Sequence, residues 1–240
     1  MTARGLTGVI YVAADQPTTL ALRSDGTVWA WGLNASGIIG DGTTTPKTTP
    51  TQVPGLSEVT AIALRFQIAY ALRSDGTVWV WGRGWERQFG DGSSGNRATP
   101  APVPKLSHVS AIVPGSLWVH ALHSDGTVWA WGQNNECQLG DGTTIERRFP
   151  VRVAGLTGIV AITSDNGVTG HAVRSDGIVW AWGQNSDNGG NRVRGEVRRH
   201  CAGLGPELSR LVGQRQRGHR ADRPDASGGL DRCVRYSRLG

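Results

Sequence analysis

The sequence predicts an all-β repeat protein, and two observations carry this prediction. The stretch Ala21–Gly32, with the sequence ALRSDGTVWAWG, returns three times with few changes, at residues 71–82, 121–132 and 172–183. Self-similarity at a nearly fixed period is typical of proteins built from stacked structural repeats. The composition is the second observation, because 35 Gly and 10 Trp against one Met are typical of short strands joined by glycine turns.

Each repeated stretch predicts a β-hairpin. Asp-Gly between two strand-like runs is a strong hairpin signal, and we predict a type I′ turn in which Asp25 and Gly26 both have positive φ. In the return strand, the period of two places Trp29 and Trp31 on one face. Burying large rings is strongly stabilising, so we expect the Trp pairs to hold neighbouring sheets together. The turn and tryptophan residues of the four copies are Asp25, Gly26, Trp29, Trp31, Asp75, Gly76, Trp79, Trp81, Asp125, Gly126, Trp129, Trp131, Asp176, Gly177, Trp180 and Trp182.

The rest of each repeat adds two more strands. A short apolar run bounded by turn residues precedes each hairpin, as at Ile10–Ala14, and predicts a buried strand. A Pro-x-x-Val segment follows each of the first three hairpins, as at Pro50–Val53, and proline suits an edge strand because it has no N–H to donate. Four short strands per period make one blade of a β-propeller. Residues 1–187 hold about three and a half repeats, which predicts an incomplete or open propeller: an open arc, a small ring, or a ring closed by self-association with a second copy.

Residues 188–240 form a non-repeat tail rich in Arg and Gly. The net charge of +6 belongs to this part, because residues 1–183 hold 13 basic and 13 acidic residues, whereas residues 184–240 hold 12 Arg and 6 acidic residues. Two explanations are open, a basic tail of low order and a shifted reading frame. A neighbouring frame of Gly189–Arg194 allows Gly-Gln-Pro-Gly-Thr-Gly, which is similar to the glycine-rich segments of the repeats and favours the shift. Binding to DNA or chromatin is therefore expected only through this tail.

The sequence contains no pattern for catalysis, a metal or a cofactor. The Gly-Asp-Gly triplets, such as Gly40–Gly42, lack the alternate carboxylates of a calcium loop and the Gly-Lys-Ser step of a phosphate loop, so they predict tight turns. The His residues of the repeats have no Cys or Asp partner at the spacing of a nucleophilic site, and the three Cys form no CxxC pair. We therefore expect no enzyme activity, no cofactor and no metal. Neither a signal peptide nor a membrane-spanning apolar run is seen, so no membrane partner is expected.

The repeat resembles that of the regulator of chromosome condensation family. The resemblance rests on Ala-Leu-x-Ser-Asp-Gly-Thr-Val-Trp-Ala-Trp-Gly, followed by Gln-Leu-Gly-Asp-Gly-Thr-Thr and Pro-x-x-Val-x-Gly-Leu, over residues 5–187. It implies a β-propeller, usually of seven four-stranded blades, and a non-enzymatic role as scaffold or inhibitor, as in bacterial relatives. The composition, rich in Ala, Gly and Arg, favours a bacterial protein.

The same resemblance implies an alternative function, guanine-nucleotide exchange on a small GTPase. In the family that activity uses a protruding insertion in one blade. The complete repeats of this chain are 50 or 51 residues long and leave no room for such an insertion. A protein-interaction module is therefore the first prediction.

Candidate partner-binding residues lie where the copies differ from one another. The turns before each Ala-Leu strand differ, and blade-end loops on a rigid scaffold commonly carry binding. Trp85, flanked by Arg83 and Arg87, also breaks the pattern of its repeat. Trp, Phe and Arg in exposed loops are common anchors of protein interfaces, but the alternative is that Phe66 and Trp118 point inward and fill the blade. The candidates are Arg65, Phe66, Gln67, Trp85, Ser116, Leu117, Trp118, Asp165 and Asn166.

Overall fold

Four antiparallel β-sheets follow one another along the chain. The computed structural model describes residues 5–15, 17–85, 87–164, 168–183, 198–200 and 236–239. Sheet one contains β1 (Val9–Asp15), β2 (Thr18–Arg23), β3 (Val28–Gly32) and β4 (Lys47–Gln52). Sheet two contains β5 (Val59–Arg65), β6 (Ile68–Arg73), β7 (Val78–Gly82) and β8 (Arg97–Pro102). Sheet three contains β9 (Val109–Pro114), β10 (Trp118–His123), β11 (Val128–Gly132) and β12 (Arg147–Arg152). Sheet four contains β13 (Ile159–Ser164), β14 (Thr169–Arg174), β15 (Val179–Gly183), β16 (Arg198–His200) and β17 (Tyr236–Leu239), in the order β13-β14-β15-β17-β16.

The sheets are arranged as successive blades of a propeller. In sheets one to three the strands pair antiparallel in chain order, so each is an up-and-down unit. The first strands of successive sheets contact one another, β1 with β5, β5 with β9, and β9 with β13. The described residues contain strands and turns but no helix. The row of sheets does not close into a ring, and the predicted all-β, incomplete propeller is therefore confirmed.

The hydrophobic core consists of three clusters, each between two successive sheets. Leu20 and Leu22 of sheet one pack with Ala69, Ala71 and Trp81 of sheet two. Equivalent clusters join sheet two to sheet three and sheet three to sheet four. Because the side chains of a strand alternate between its two faces, each inner sheet contributes one face to each of two clusters.

The second Trp of each pair joins its sheet to the preceding one. The indole N–H of Trp81 donates to the Ile38 carbonyl at 2.8 Å, and that of Trp131 to the Gln88 carbonyl at 2.7 Å. Trp182 makes the same bond to the Gln138 carbonyl at 3.1 Å. All three rings are buried, whereas Trp31 of sheet one is only half-buried. The inter-sheet contact thus combines apolar burial with a satisfied indole donor.

The first Trp of each pair packs at the margin of the same clusters. Trp79 lies against the cluster between sheets one and two, and its N–H donates to the Thr77 hydroxyl at 3.2 Å. Trp129 and Trp180 hold the matching places in the next two clusters.

The hairpin turns correct the predicted turn type. Gly26 has φ of +76°, but neither Ser24 nor Asp25 has a positive φ. The Gly26 N–H donates to the Arg23 carbonyl at 3.0 Å, which makes a type I turn followed by a left-handed glycine rather than a type I′ turn. The reason is local: the Asp25 carboxylate accepts the Thr27 amide at 3.0 Å and its hydroxyl at 2.6 Å. This bonding pattern holds Asp25 out of the left-handed region.

Candidate functional site

The end of the molecule opposite the hairpin turns carries the variable loops. We call it the divergent end, and it is made of the β1–β2, β5–β6 and β9–β10 turns with the segments that follow β3, β7 and β11. Hydrogen bonds join each turn to the segment that follows the third strand. In sheet two the Arg83 amide donates to the Gln67 carbonyl, and in sheet three the Gln133 amide donates to the Leu117 carbonyl, both at 2.9 Å. Residues of the turn and of the following segment therefore share one surface.

Sheet two presents two exposed aromatic rings at the divergent end. Phe66 is 46% exposed and Trp85 is 66% exposed. The guanidinium carbon of Arg65 lies 5.1 Å from the Phe66 ring centre, and that of Arg83 lies 3.2 Å from the Trp85 ring centre. Each ring is thus covered on one face by a cation, an arrangement that orients both partners. We call Arg65, Phe66, Gln67, Arg83 and Trp85 the arginine–aromatic patch.

The turn that carries Phe66 is strained and held from sheet one. Phe66 and Gln67 have φ of +47° and +62°, which is uncommon for residues with a side chain. The Gln67 amide donates to an Asp15 carboxylate oxygen at 3.0 Å, and the Ser36 hydroxyl donates to the Gln67 side-chain carbonyl at 3.1 Å. These bonds fix the turn in the conformation that exposes Phe66.

The segment that carries Trp85 differs from its counterparts because an anchoring asparagine is missing. In sheet one the Asn34 amide donates to the carbonyls of Thr43 and Thr45, and its carbonyl accepts the Ile39 amide. In sheet two Gly84 takes this position, and a Cβ there would lie 2.3 Å from both the Gly95 carbonyl oxygen and the Phe89 ring. The buried ring of Phe89 therefore requires glycine at residue 84, next to the exposed Trp85.

The two arginines of the patch carry positive charge that no described carboxylate neutralises. Within the described residues, neither Arg65 nor Arg83 forms an ion pair. Other arginines of the repeats are paired, as Arg147 is with Asp141 at 2.6 Å. Burial alone would raise the pKa of Asp141, but hydrogen bonds from Arg147 and Thr143 outweigh it and lower the pKa. In the patch, exposed aromatic surface therefore coincides with arginines that form no ion pair within the described residues.

The other predicted site residues have three different locations. Ser116 and Leu117 lie half-buried in the β9–β10 turn at the divergent end. Asp165 and Asn166 lie outside the described residues. Trp118 is buried in the cluster between sheets three and four, which corrects its assignment to the binding surface. Of the two alternatives for Phe66 and Trp118, the inward one applies to Trp118 alone.

Two glycines make room for large rings at the interface between sheets three and four. A Cβ on Gly115 would lie 2.2 Å from the Trp118 ring, so only glycine admits the ring there. Across the interface, a Cβ on Gly170 would meet the rings of Trp182 and His120 at 2.5 and 2.6 Å. Large rings and small residues thus alternate across this interface, as close packing requires.

His120 is a buried polar residue that the sequence analysis did not single out. Its ring centre lies 4.5 Å from that of Trp118 and 4.9 Å from that of Trp182. The Trp182 indole nitrogen lies 3.2 Å from His120 Nε2, so the indole N–H donates to an unprotonated ring nitrogen. Burial lowers the pKa of His120 to about 3. Its counterparts in sheets one and two are the buried residues Leu20 and Tyr70, so this position of the repeat serves the packing of the core.

We expect the neutral His120 to make the stability of the protein depend on pH. In the unfolded chain the group takes up a proton as pH falls below about 6.5, whereas in the folded protein it resists protonation down to about pH 3. The free energy of unfolding should therefore fall between these two pH values. In His120→Leu, the loss between pH 7 and pH 4.5 should be smaller by up to about 2–3 kcal/mol, as measured by urea unfolding. An unchanged pH dependence in the variant would show that the group titrates normally in the folded state.

The described part of the chain shows neither a cluster of metal ligands nor a membrane-spanning helix. It holds no group of three or more His, Cys, Asp or Glu residues that could bind a metal ion. It also holds no helix that is long and apolar enough to cross a membrane.

Comparison with known proteins agrees with the fold. The family model for the regulator of chromosome condensation (RCC1) repeat matches residues 25–64, 75–117 and 125–166, which together make up just over half of the chain. A search of curated protein sequences gave no match.

Three solved structures are similar to this chain. Human WBSCR16 is 24% identical with a TM-score of 0.65, over 75% of this chain and 49% of that one. Yeast RCC1 (Prp20), solved with Kap60, is 27% identical with a TM-score of 0.61, over 74% of this chain and 44% of that one. Prp20p from Saccharomyces cerevisiae, described with its binding to Gsp1p and histones, is 24% identical with a TM-score of 0.63, over 79% of this chain and 52% of that one. The chain thus spans about half the length of these proteins, and it belongs to the RCC1 repeat family.

Proposed function

We propose that this chain is a non-enzymatic protein-interaction module of the scaffold or inhibitor type. It binds a protein partner through the divergent end, with the arginine–aromatic patch at the centre of the contact. The observation that carries the proposal is the pairing of two exposed rings, Phe66 and Trp85, with two arginines that form no ion pair in the described part of the chain. Aromatic and arginine side chains dominate the binding energy of many protein interfaces.

The rigidity of the patch supports the same role. The Phe66 turn is held by Asp15 and Ser36 of sheet one, so little conformational freedom remains to be lost when a partner binds. Ser116 and Leu117 extend the surface onto sheet three. The proposal also keeps Asp165 and Asn166, which the sequence predicts as contact residues.

The partner is a protein whose contact surface supplies carboxylates to the patch. The relatives bind proteins: Kap60 is bound to yeast RCC1, and Gsp1p and histones are named for Prp20p. Because this chain spans only about half of Prp20p, these proteins serve as probes rather than as an assignment. Histones are basic and would meet the patch with like charge, so Gsp1p is the more informative probe.

The test is a comparison of three forms of the chain in affinity capture, with a cell lysate and with purified Gsp1p. In Phe66→Ser/Trp85→Ser both exposed rings are removed, and we expect the affinity for the specific partner to fall at least about tenfold. The matched control is Phe149→Ser, which removes another exposed ring, on the outer strand β12 of sheet three and outside the arginine–aromatic patch. Equal capture by the double variant and the control would contradict the proposal. All three changes are at exposed side chains, so the unfolding midpoint should stay within the scatter of surface substitutions.

A further inference from the structure

Each interface between sheets has two different faces. We call the near face the side of a sheet that packs on the preceding sheet, and the far face the side that packs on the next one. In sheet two the near face is formed by Val59, Ile62 and Trp81, and the far face by Leu72 and Val78. The same pattern recurs at all three interfaces. In each of them, the near face of one sheet packs against the far face of the preceding sheet.

The near face of sheet one is uncovered in the single chain. Val9 is 39% exposed, whereas its counterparts Val59, Val109 and Ile159 are at most 5% exposed. Val12 is 51% exposed, against 5% for its counterpart Ile62. Trp31 is half-buried, although the other second-position tryptophans are fully enclosed. The side chains are those of an interface, but no sheet of the described residues covers them.

Among the described residues, the far face of sheet four is uncovered in the same way. Val173, Val179 and Ala181 are half-buried, whereas the equivalent residues of sheets one to three are all buried. On β13 the far-face residues Ala161 and Thr163 are exposed, whereas their counterparts on β5 and β9 are half-buried. A complementary pair of faces therefore lies at the two ends of the row of sheets.

We propose that the near face of sheet one binds the far face of sheet four in a second copy of this chain. Applied in both directions, the contact joins two copies into a ring of eight sheets related by a two-fold axis. A second copy is the occupant because three interfaces within the chain already show this pair of faces packed together. The chain also spans about half the length of similar structures of the family, so two copies supply a comparable number of blades.

The first test is the state of association of the purified full chain in sedimentation velocity. We expect a concentration-dependent dimer. Val12→Arg places a charge in the contact and should raise the dissociation constant at least about tenfold. The matched control is Ile10→Arg on the same strand, because Ile10 and its counterparts Thr60, Ser110 and Val160 are exposed in every sheet. Both changed side chains are exposed in the single chain, so neither change should alter its folding.

The second test shows which faces meet. Thr163→Arg changes the far face of sheet four at a residue that is exposed in the single chain. Each of Val12→Arg and Thr163→Arg should be monomeric alone, and an equal mixture should form dimers, because one intact near face then meets one intact far face. Phe66→Ser/Trp85→Ser should dimerise as the unchanged chain does, which separates this proposal from the proposed partner binding. A monomeric unchanged chain, equal behaviour of Val12→Arg and Ile10→Arg, or a mixture that stays monomeric would overturn the inference.

Discussion

Trp131→Ala is expected to lower the free energy of unfolding by about 3–5 kcal/mol. The ring is fully enclosed in the cluster between sheets two and three, so its removal leaves a cavity on both. The change also leaves the Gln88 carbonyl without its indole donor. A Cβ on Gly90 would lie 2.9 Å from the indole nitrogen, and so close a contact shows how tightly the ring is enclosed. Urea unfolding followed by far-ultraviolet circular dichroism measures the loss.

The control for this prediction is Trp31→Ala. Trp31 has the same place in its sheet, but its ring is half-buried and faces no preceding sheet in the chain. Both variants should be compared in a Val12→Arg background, which is expected to keep the chain monomeric. We expect the free energy of unfolding to fall less than half as much in Trp31→Ala as in Trp131→Ala, because Trp31 buries less apolar area on folding. Equal losses would mean that the contact between sheets contributes little.

Gly132→Ala is expected to lower the free energy of unfolding by about 2–4 kcal/mol. Gly132 has φ of +102°, a region in which a side chain is strained. A Cβ there would lie 2.5 Å from the Leu117 carbonyl oxygen and 2.8 Å from the Trp118 Cα. These are backbone atoms, so relief requires the β9–β10 turn to move, and that turn accepts the Gln133 amide.

Gly142→Ala separates the two sources of this effect. Gly142 belongs to the same repeat and has φ of +82°, but no atom lies within 4 Å of the place that a Cβ would take. Only the conformational penalty should remain, about 1–2 kcal/mol. If thermal unfolding shows equal losses for the two variants, the close approach of the turn is not what requires glycine at residue 132.

The sequence predicted the repeating architecture because local patterns determine it. The alternation of Trp29 and Trp31 with smaller residues and the Asp-Gly turn specify a hairpin without reference to the rest of the chain. The same patterns recur four times, so four sheets follow. The open row of sheets also followed from counting repeats. The predicted turn type was wrong because the Asp25 carboxylate accepts the backbone amide of Thr27, two residues further on, and Asp176 accepts that of Ile178 in the same way.

The candidate site could be predicted only in part. Phe66 and Trp85 differ from their counterparts in the other repeats, and that difference was a usable signal. Trp118 gave the same signal, but its ring is buried in a cluster with Ala172 and Trp182 of sheet four, which are distant in sequence. His120 was missed because its hydrogen-bond partner, Trp182, is 62 residues away. The repeated Trp pairs predicted contacts between sheets, but a contact made by a side chain that is not repeated, such as His120, leaves no pattern in the sequence.

The bond from each indole to the preceding sheet has a consequence for how the molecule comes apart. Every interface uses the same parts, so stability propagates from neighbour to neighbour as in a one-dimensional chain of coupled units. An inner sheet is held on two sides and an end sheet on one, and opening therefore begins at the ends. A chain of this kind frays, whereas a closed circle of the same units has no end from which to fray.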